Sequence, residues 1–245
     1  MLGLSFNVLI GVASFLYIVV GIPQLLFLIR KKKTEGLALT SFWLYYSSSV
    51  FFAIFGFLVA NDQIVYSEFC ASIIFGIQLG IIVKYIPKEE FSLNKRIISY
   101  LFVVIYISNN LIFTVLNALK IIGTDIDPNP NAIIHSHTVI VLSAIIANIA
   151  PVLSMIAFLP QVIKGIKSKS LYKQPFTFVI VIVISSTTWV VSWILGIAYF
   201  SETNPSIVPT YIISCIYQII SLGVTSTQLS VWTTQVKKNH HLIWF

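Results

Sequence analysis

Long apolar runs separated by short polar segments dominate the chain. Seven of these runs are long enough to cross a membrane at about 20 residues per crossing. They cover residues 5–29, 41–60, 64–84, 97–119, 138–164, 175–199 and 207–233. Each run is apolar on all sides rather than along one stripe. Because backbone polar groups cannot stay unpaired in lipid, the pattern predicts seven membrane-spanning α-helices.

The composition also indicates a membrane-embedded chain. Hydrophobic residues make up 57% of the 245 residues and charged residues only 9%, whereas a soluble domain usually carries about a quarter charged residues. So few charges could not cover a soluble fold, and the apolar surplus must face lipid. The formal net charge of +7 would suit nucleic-acid binding. However, the basic residues lie in short loops between apolar runs, so no nucleic-acid partner is expected.

The positions of the basic residues predict an orientation. Fourteen of the 15 Lys and Arg residues lie in or beside the loops after spans 1, 3 and 5, or in the C-terminal tail. Lys120 alone lies on the opposite side. By the positive-inside rule, the N-terminus is outside and the C-terminus is cytoplasmic. The sequence therefore predicts a multi-pass integral protein of the plasma membrane.

A Pro-Gln pair occurs twice at corresponding places. Pro23-Gln24 and Pro160-Gln161 lie 137 positions apart, each in the cytoplasmic half of an apolar run and each followed by a Lys-rich loop. Spans 1 to 3 and 5 to 7 share one order: Pro-Gln helix, basic loop, aromatic helix, short acidic outer loop and Gln-bearing helix. Because the first unit has an odd number of spans, the second unit would be inserted upside down without a spacer, and span 4 restores its orientation. The halves are therefore predicted to be parallel repeats about an axis along the membrane normal.

On these features the chain resembles the PQ-loop family, which includes the SWEET sugar facilitators and the lysosomal cystine and cationic amino acid exporters. The resemblance implies an all-α membrane protein in a 3+1+3 arrangement. Its parts would be a three-helix repeat at 5–84, a linker helix at 97–119, a second repeat at 138–233 and a cytoplasmic tail at 234–245. It also implies a transporter whose solute path lies between the repeats and whose Pro-Gln helices bend during alternating access.

The prolines themselves favour hinges in spans 1 and 5. Neither Pro23 nor Pro160 can donate to the carbonyl four residues earlier. Gln24 and Gln161 can hydrogen-bond to freed carbonyls or to a neighbouring helix. A static kink is the alternative interpretation. Pro175 begins span 6, where the family often has a gating proline, and it completes the predicted hinge and gate set.

Polar and aromatic residues inside the spans are the candidate solute contacts. Gln78 and Gln218 are expected at similar depths in spans 3 and 7, with interhelical hydrogen bonding as the alternative role. Trp189 and Trp193 are one turn apart on span 6 and could stack on a solute. Polar groups in spans 5 and 2 complete the predicted substrate-binding set: Asn148 and Ser48.

The residues missing from the spans bear on the solute and its coupling. SWEET-like members often contact the sugar with an Asn pair in spans 3 and 7. No Asn occurs in either span here, and Glu68 and Val208 fall near those positions, which argues against a sugar. Glu68 is expected near the outer mouth, so no ionisable residue is predicted at mid-membrane. The sequence therefore favours an uncoupled facilitator for a small polar solute such as a sugar, an amino acid or a similar metabolite.

Two rival functions are less well supported. A non-transporting receptor or scaffold could share the helix arrangement, as the ER retrieval receptors do, but those bind a peptide carboxylate with buried basic residues. An enzyme would need an inward-facing nucleophile, metal cluster or acid–base pair, so no catalytic residue, metal or cofactor is predicted. A metal site in the long outer loop lacks tight ligand spacing; its candidates are Asp125, Asp127, His135 and His137. The expected partners are the solute and the bilayer, with a homo-oligomer left open.

Overall fold

The computed structural model describes residues 2–32, 34, 37–59, 61–121 and 137–239, and these form helices joined by short turns. The helices are α1 Leu2–Lys31, α2 Leu39–Leu58, α3 Asp62–Tyr85, α4 Leu93–Ala118, α5 His137–Ala157, α6 Leu159–Lys167, α7 Phe176–Thr203 and α8 Val208–Asn239. Short 3₁₀ turns at Leu171–Lys173 and Pro205–Ile207 precede α7 and α8. Within these ranges, seven helical segments are long and apolar enough to cross a membrane, α5 and α6 together forming the fifth. The prediction of seven spans is confirmed.

The two Pro-Gln spans differ in continuity. α1 runs without interruption through Pro23. The fifth span is broken at Phe158, and α6 begins with Leu159 and Pro160. A proline fits the first turn of a helix because its missing N–H has no partner there. The sequence predicted one continuous helix for this span, so the break is a feature that the structure adds.

Two other predictions concern residues that lie partly or wholly outside the described ranges. α8 continues through Asn239, so 234–239 of the predicted tail are helical, and 240–245 lie outside the described residues. The predicted outer-loop metal candidates Asp125, Asp127 and His135 also lie outside them, as does the side chain of His137.

Six of the seven spans form a ring. α3 packs against both α1 and α2, and α8 packs against both α5 and α7. The halves meet where α1 contacts α7 and where α2 contacts α5. α1 of the first half corresponds to α5 of the second, and α2 corresponds to α7. The α1–α7 and α2–α5 contacts are therefore equivalent, as expected for repeats related by a two-fold axis. The arrangement places any space along that axis between the two units.

The linker helix α4 lies outside the ring against α3 and α2. Its C-terminal end is held by Asp62, whose carboxylate accepts from Asn117 at 2.8 Å and pairs with Lys120 at 2.6 Å. At the opposite end, Arg96 donates to backbone carbonyls at the C-terminus of α3, including that of Lys84 at 3.0 Å. Most of the apolar side chains of α4 are exposed, as expected for a helix that faces lipid.

Candidate functional site

A cavity lies at the centre of the ring and is lined by all six helical spans that form it. Its empty volume, which includes space open to solvent, is about 540 Å³. Three pairs of lining residues are separated by 137 positions, the spacing of the two Pro-Gln pairs: Tyr17 and Ser154, Tyr45 and Ile182, Phe52 and Trp189. Corresponding positions of the repeats therefore face each other across this central cavity.

The wall contributed by α7 combines aromatic rings with hydroxyl groups. Trp189 and Trp193 are stacked, with ring centroids 5.7 Å apart and planes inclined by 25°. Ser185 and Ser186 line the cavity on the same helix. Gln218 of α8 adds an amide group. The cavity thus offers flat apolar faces together with neutral donors and acceptors.

Glu68 is the only charged residue among the described residues that line the central cavity. It is buried, and the side chains of Tyr17 and Ser49 lie against its carboxyl group. The expectation that it lies near the outer mouth stays a prediction, and the structure adds that the side chain is buried in the central cavity. α3 begins at Asp62, so Glu68 is about 9 Å along the helix, and its side chain is turned towards the ring interior.

A second cavity lies next to the central one and is called the inner cavity because the predicted orientation places it towards the cytoplasm. Its empty volume, which includes space open to solvent, is about 390 Å³, and its lining includes Leu37, Gln161 and Gln174. Tyr45 and Phe158 line both cavities. Their ring centroids are 4.9 Å apart, and Phe75 packs edge-on against Tyr45 at 4.8 Å. Tyr45, Phe75 and Phe158 therefore form an aromatic partition between the two cavities.

The partition is built differently by the two repeats. Phe158 stands at the helix break of the second repeat, and its counterpart 137 positions earlier is Gly21. A Cβ atom at Gly21 would lie 2.9 Å from the ring of Phe75. Glycine therefore allows Phe75 to pack closely against α1. The first repeat supplies Tyr45 from α2 and Phe75 from α3, and the second supplies Phe158 from the break itself.

A hydrogen bond across the repeats joins the two halves beside the inner cavity. The side-chain oxygen of Gln161 accepts from the backbone N–H of Ala38 at 2.7 Å. Lys164, one turn further along α6, donates to the backbone carbonyl of Leu37. Both contacts join α6 to the segment that precedes α2. The second Pro-Gln pair thus belongs to a tie between the two halves.

Gln24 has no equivalent tie. Its side chain is fully buried, and neither of its polar atoms has a hydrogen-bond partner in the described part of the chain. The residue 137 positions after Ala38 is Pro175, and the two are the residues that precede α2 and α7. Proline has no backbone N–H. The symmetric partner of Gln24 therefore lacks the donor that Ala38 gives to Gln161.

The comparison with family models identifies the repeats. The model described as PQ loop repeat matches residues 6–65 and 142–201, and each stretch contains one Pro-Gln pair. This chain is a membrane protein with two PQ-loop repeats. No curated protein and no solved structure matches it. The resemblance is thus confirmed for PQ-loop repeats, and membership of the SWEET or exporter groups stays a prediction.

The two glutamines expected to face the solute lie in different cavities of this PQ-loop protein. Gln78 lines the inner cavity and donates to the backbone carbonyl of Gly21, whereas Gln218 lines the central one. Gln78 is 16 residues after the start of α3 and Gln218 is 10 residues after the start of α8, and the expected match in depth stays a prediction. Gln78 has the interhelical role that was the alternative.

Two further candidates bond within their own helices. Asn148 donates to the carbonyl of Ala144 at 2.7 Å, and Ser48 donates to that of Tyr45 at 2.7 Å. Neither is among the described residues that line the central cavity. The counterpart of Ser48 in the second repeat, Ser185, does line it. The structure therefore groups Trp189, Trp193 and Gln218 and sets the other three candidates apart.

Several lining residues were missed by the sequence analysis, among them Tyr17, Tyr45, Phe52 and Phe158. A signal for some of them was present. Subtracting the 137-residue repeat spacing from Trp189 gives Phe52. Tyr17 and Tyr45 correspond to small or apolar residues in the other repeat, so a comparison of the two repeats gave no signal for them. Pro160 marked a bend in the fifth span, but nothing in the sequence distinguishes it from Pro23, through which α1 runs without a break.

The unequal environments of the two glutamines predict opposite effects on stability. Gln161→Leu should lower the free energy of unfolding by about 1 to 3 kcal/mol, because the buried N–H of Ala38 loses its acceptor. Gln24→Leu should leave stability unchanged or raise it, because it removes a buried amide without a partner. Thermal melts of both variants in the same detergent measure the difference. Equal destabilisation by the two substitutions would show that Gln24 has a partner equivalent to Ala38.

Proposed function

We propose that this PQ-loop protein is a transporter that moves a small polar solute across the membrane by alternating access. The observation that carries the proposal is the central cavity, which lies between the two repeats and takes lining residues from both. A solute held there contacts both units, so a change in their relative position transfers its access from one side to the other. The aromatic partition supports the proposal because it separates this cavity from the inner one.

Opening towards the inner side requires two sets of contacts to separate. The rings of Tyr45 and Phe158 must part, which costs about 0.5 to 1.5 kcal/mol beyond their area burial. The hydrogen bond from Ala38 to Gln161 must break, at a net cost of about 1 kcal/mol. Phe158 stands at the break where α6 begins, and Gln161 lies on α6. A swing of α6 about this break would therefore release both contacts together.

Uptake into proteoliposomes tests the function. Radiolabelled sugars, amino acids, vitamins and amines should include at least one solute that equilibrates through the purified protein. Trp189→Ala should abolish that flux because it removes a wall of the central cavity. Trp43→Ala is the matched control, since Trp43 packs on Phe102 and Tyr106 of α4, outside the ring. Binding without flux would favour the receptor or scaffold alternative, and flux that survives Trp189→Ala would contradict the proposed path.

We also propose that transport is uncoupled, with the solute moving down its own electrochemical gradient. Glu68 lies in the central cavity, so it is the residue that would carry the proton if transport were coupled. With the membrane potential clamped at zero, an inward pH gradient should leave the final accumulation ratio near one. The ratio of internal to external solute measures this directly. Accumulation that collapses with a protonophore and disappears in Glu68→Gln would show that protons drive transport.

The proposed orientation places the N-terminus outside and the C-terminus in the cytoplasm of a plasma-membrane protein. It rests on the charge asymmetry of the loops. In a Cys70→Ser, Cys215→Ser background, an impermeant thiol reagent applied to intact cells should label Ser5→Cys and leave Lys238→Cys unmodified until the cells are opened. Both positions are exposed. The reverse labelling pattern would invert the orientation.

A further inference from the structure

The central cavity contains an acid without a full set of partners. Glu68 is 3% exposed, and its Oε2 atom has no hydrogen-bond partner in the described part of the chain. The hydroxyl of Tyr17 lies beside the carboxyl group of Glu68. Enclosing an ionised carboxylate away from water is costly unless a cation or several donors compensate it. Without such a partner the carboxyl group holds a proton instead, and a cation that enters the cavity can take the place of that proton.

The described part of the chain places no cation beside this acid. None of the described residues lining the central cavity is Lys, Arg or His. The nearest hydrogen-bonding side chains, those of Tyr17 and Ser49, are neutral hydroxyls. The described basic residues of the second half, such as Lys164 and Lys173, lie at helix ends and in loops. A positive charge opposite Glu68 must therefore come from the occupant of the cavity.

The remaining walls suit an organic cation. Six aromatic residues line the cavity: Tyr17, Tyr45, Phe52, Phe158, Trp189 and Trp193. The face of an aromatic ring attracts an ammonium group, and tryptophan does so most strongly. The other polar lining residues, such as Ser185 and Gln218, are neutral and can hydrogen-bond to a hydroxyl or an ether. A carboxylate on the solute would meet no basic residue and would face the like charge of Glu68.

We infer that the solute is a small organic monocation, an ammonium compound without a carboxylate, whose charged nitrogen is held between Glu68 and the Trp189–Trp193 pair. The inference rests on the proposed function and specifies the chemistry of the same site. It separates this chain from carriers of neutral sugars and of zwitterions. Three features carry it together: the acid, the aromatic walls and the lack of a basic residue in the described lining.

Binding to the purified full-length protein tests the charge requirement. The probes are choline, tetramethylammonium, the uncharged choline isostere 3,3-dimethylbutan-1-ol and the zwitterion glycine betaine. Trp189 and Trp193 should report binding through a change in tryptophan fluorescence. Choline and tetramethylammonium should bind in a saturable manner, whereas the neutral isostere and the betaine should bind at least roughly tenfold more weakly, because only the cations pair with the buried acid.

Variants of Glu68 assign the charge requirement to this residue. Glu68→Gln keeps the shape and removes the charge, so it should weaken choline binding by roughly tenfold or more and leave the weak binding of 3,3-dimethylbutan-1-ol unchanged. Glu68→Asp keeps the charge and should retain more choline binding than Glu68→Gln. Size-exclusion profiles and melting curves establish that each variant is folded. If Glu68→Gln does not fold, the comparison of Glu68→Asp with the wild type for the cation and for its neutral isostere replaces it.

Three results would overturn the inference: equal binding of choline and its neutral isostere, unchanged choline binding in Glu68→Gln, or no binding of either cation. Its failure is distinguishable from failure of the proposed function. Charge-selective binding without flux in proteoliposomes would leave the inference standing and contradict transport. Flux of a neutral or zwitterionic solute through a protein that binds neither cation would support transport and overturn the inference.

Discussion

Pro160→Ala should slow solute exchange about five- to 150-fold, whereas Pro23→Ala should have a much smaller effect. Alanine restores an N–H that can donate to the carbonyl of Ile156 and removes the ring that crowds that turn. α5 and α6 could then join as one helix across Phe158. Proline in a helix interior costs about 3 kcal/mol, and a bias of about 1 to 3 kcal/mol towards one access state corresponds to this range of rates.

Pro23→Ala is the internal control because α1 is already continuous through Pro23. Exchange rates of both variants and of the double variant can be compared in proteoliposomes, with melting curves to show that each is folded. The double variant should match Pro160→Ala within a few fold. Near-normal exchange by a folded Pro160→Ala protein would contradict the hinge and leave the break as a static kink.

Phe158→Ala should open the aromatic partition and connect the two cavities. Truncating a buried phenylalanine to alanine typically costs about 3 to 5 kcal/mol, and here part of that cost falls on the closed state alone. A differential cost of about 1 to 3 kcal/mol would raise the population open to the inner side about five- to 150-fold. The wild-type partition should therefore limit how often the central cavity reaches the inner cavity.

Thiol accessibility measures this opening. In a Cys70→Ser, Cys215→Ser background, Ser186→Cys places a reactive group in the central cavity. An impermeant reagent applied from the cytoplasmic side should modify it faster when Phe158→Ala is present. Phe102→Ala is the control because Phe102 lies on α4 and is exposed. Equal modification rates in Phe158→Ala and Phe102→Ala would show that Phe158 does not close the path.

The spans and the repeat could be predicted because each leaves a direct signal in the sequence. Lipid requires continuous apolar helices, so the apolar runs mark the spans. The two Pro-Gln pairs mark the repeat, and the helix contacts of the ring show the same two-fold relation. The break at Phe158 could not be predicted in the same way. Pro23 and Pro160 have similar local sequences, yet only the second interrupts its helix, so packing around each proline decides the outcome.

The depth and rotation of individual residues were harder to predict. Gln78 and Gln218 lie in similar apolar contexts, but their helices begin at different points, so they line different cavities. Glu68 was expected near the outer mouth because of its distance from the loop. Its burial depends on the direction that its side chain takes from α3, and the uniformly apolar faces of the span carry no information on that direction.

The most direct test of alternating access is the two-sided accessibility of a single cysteine in the central cavity. Ser185→Cys, in a background without Cys70 and Cys215, should be modified by an impermeant thiol reagent from the outer face and, in separate samples, from the cytoplasmic face. A transported solute should protect it from both sides. Pro160→Ala should slow its modification from one of the two faces about five- to 150-fold. Modification from a single face under all conditions, in a protein that still equilibrates solute, would contradict the central cavity as the transport path.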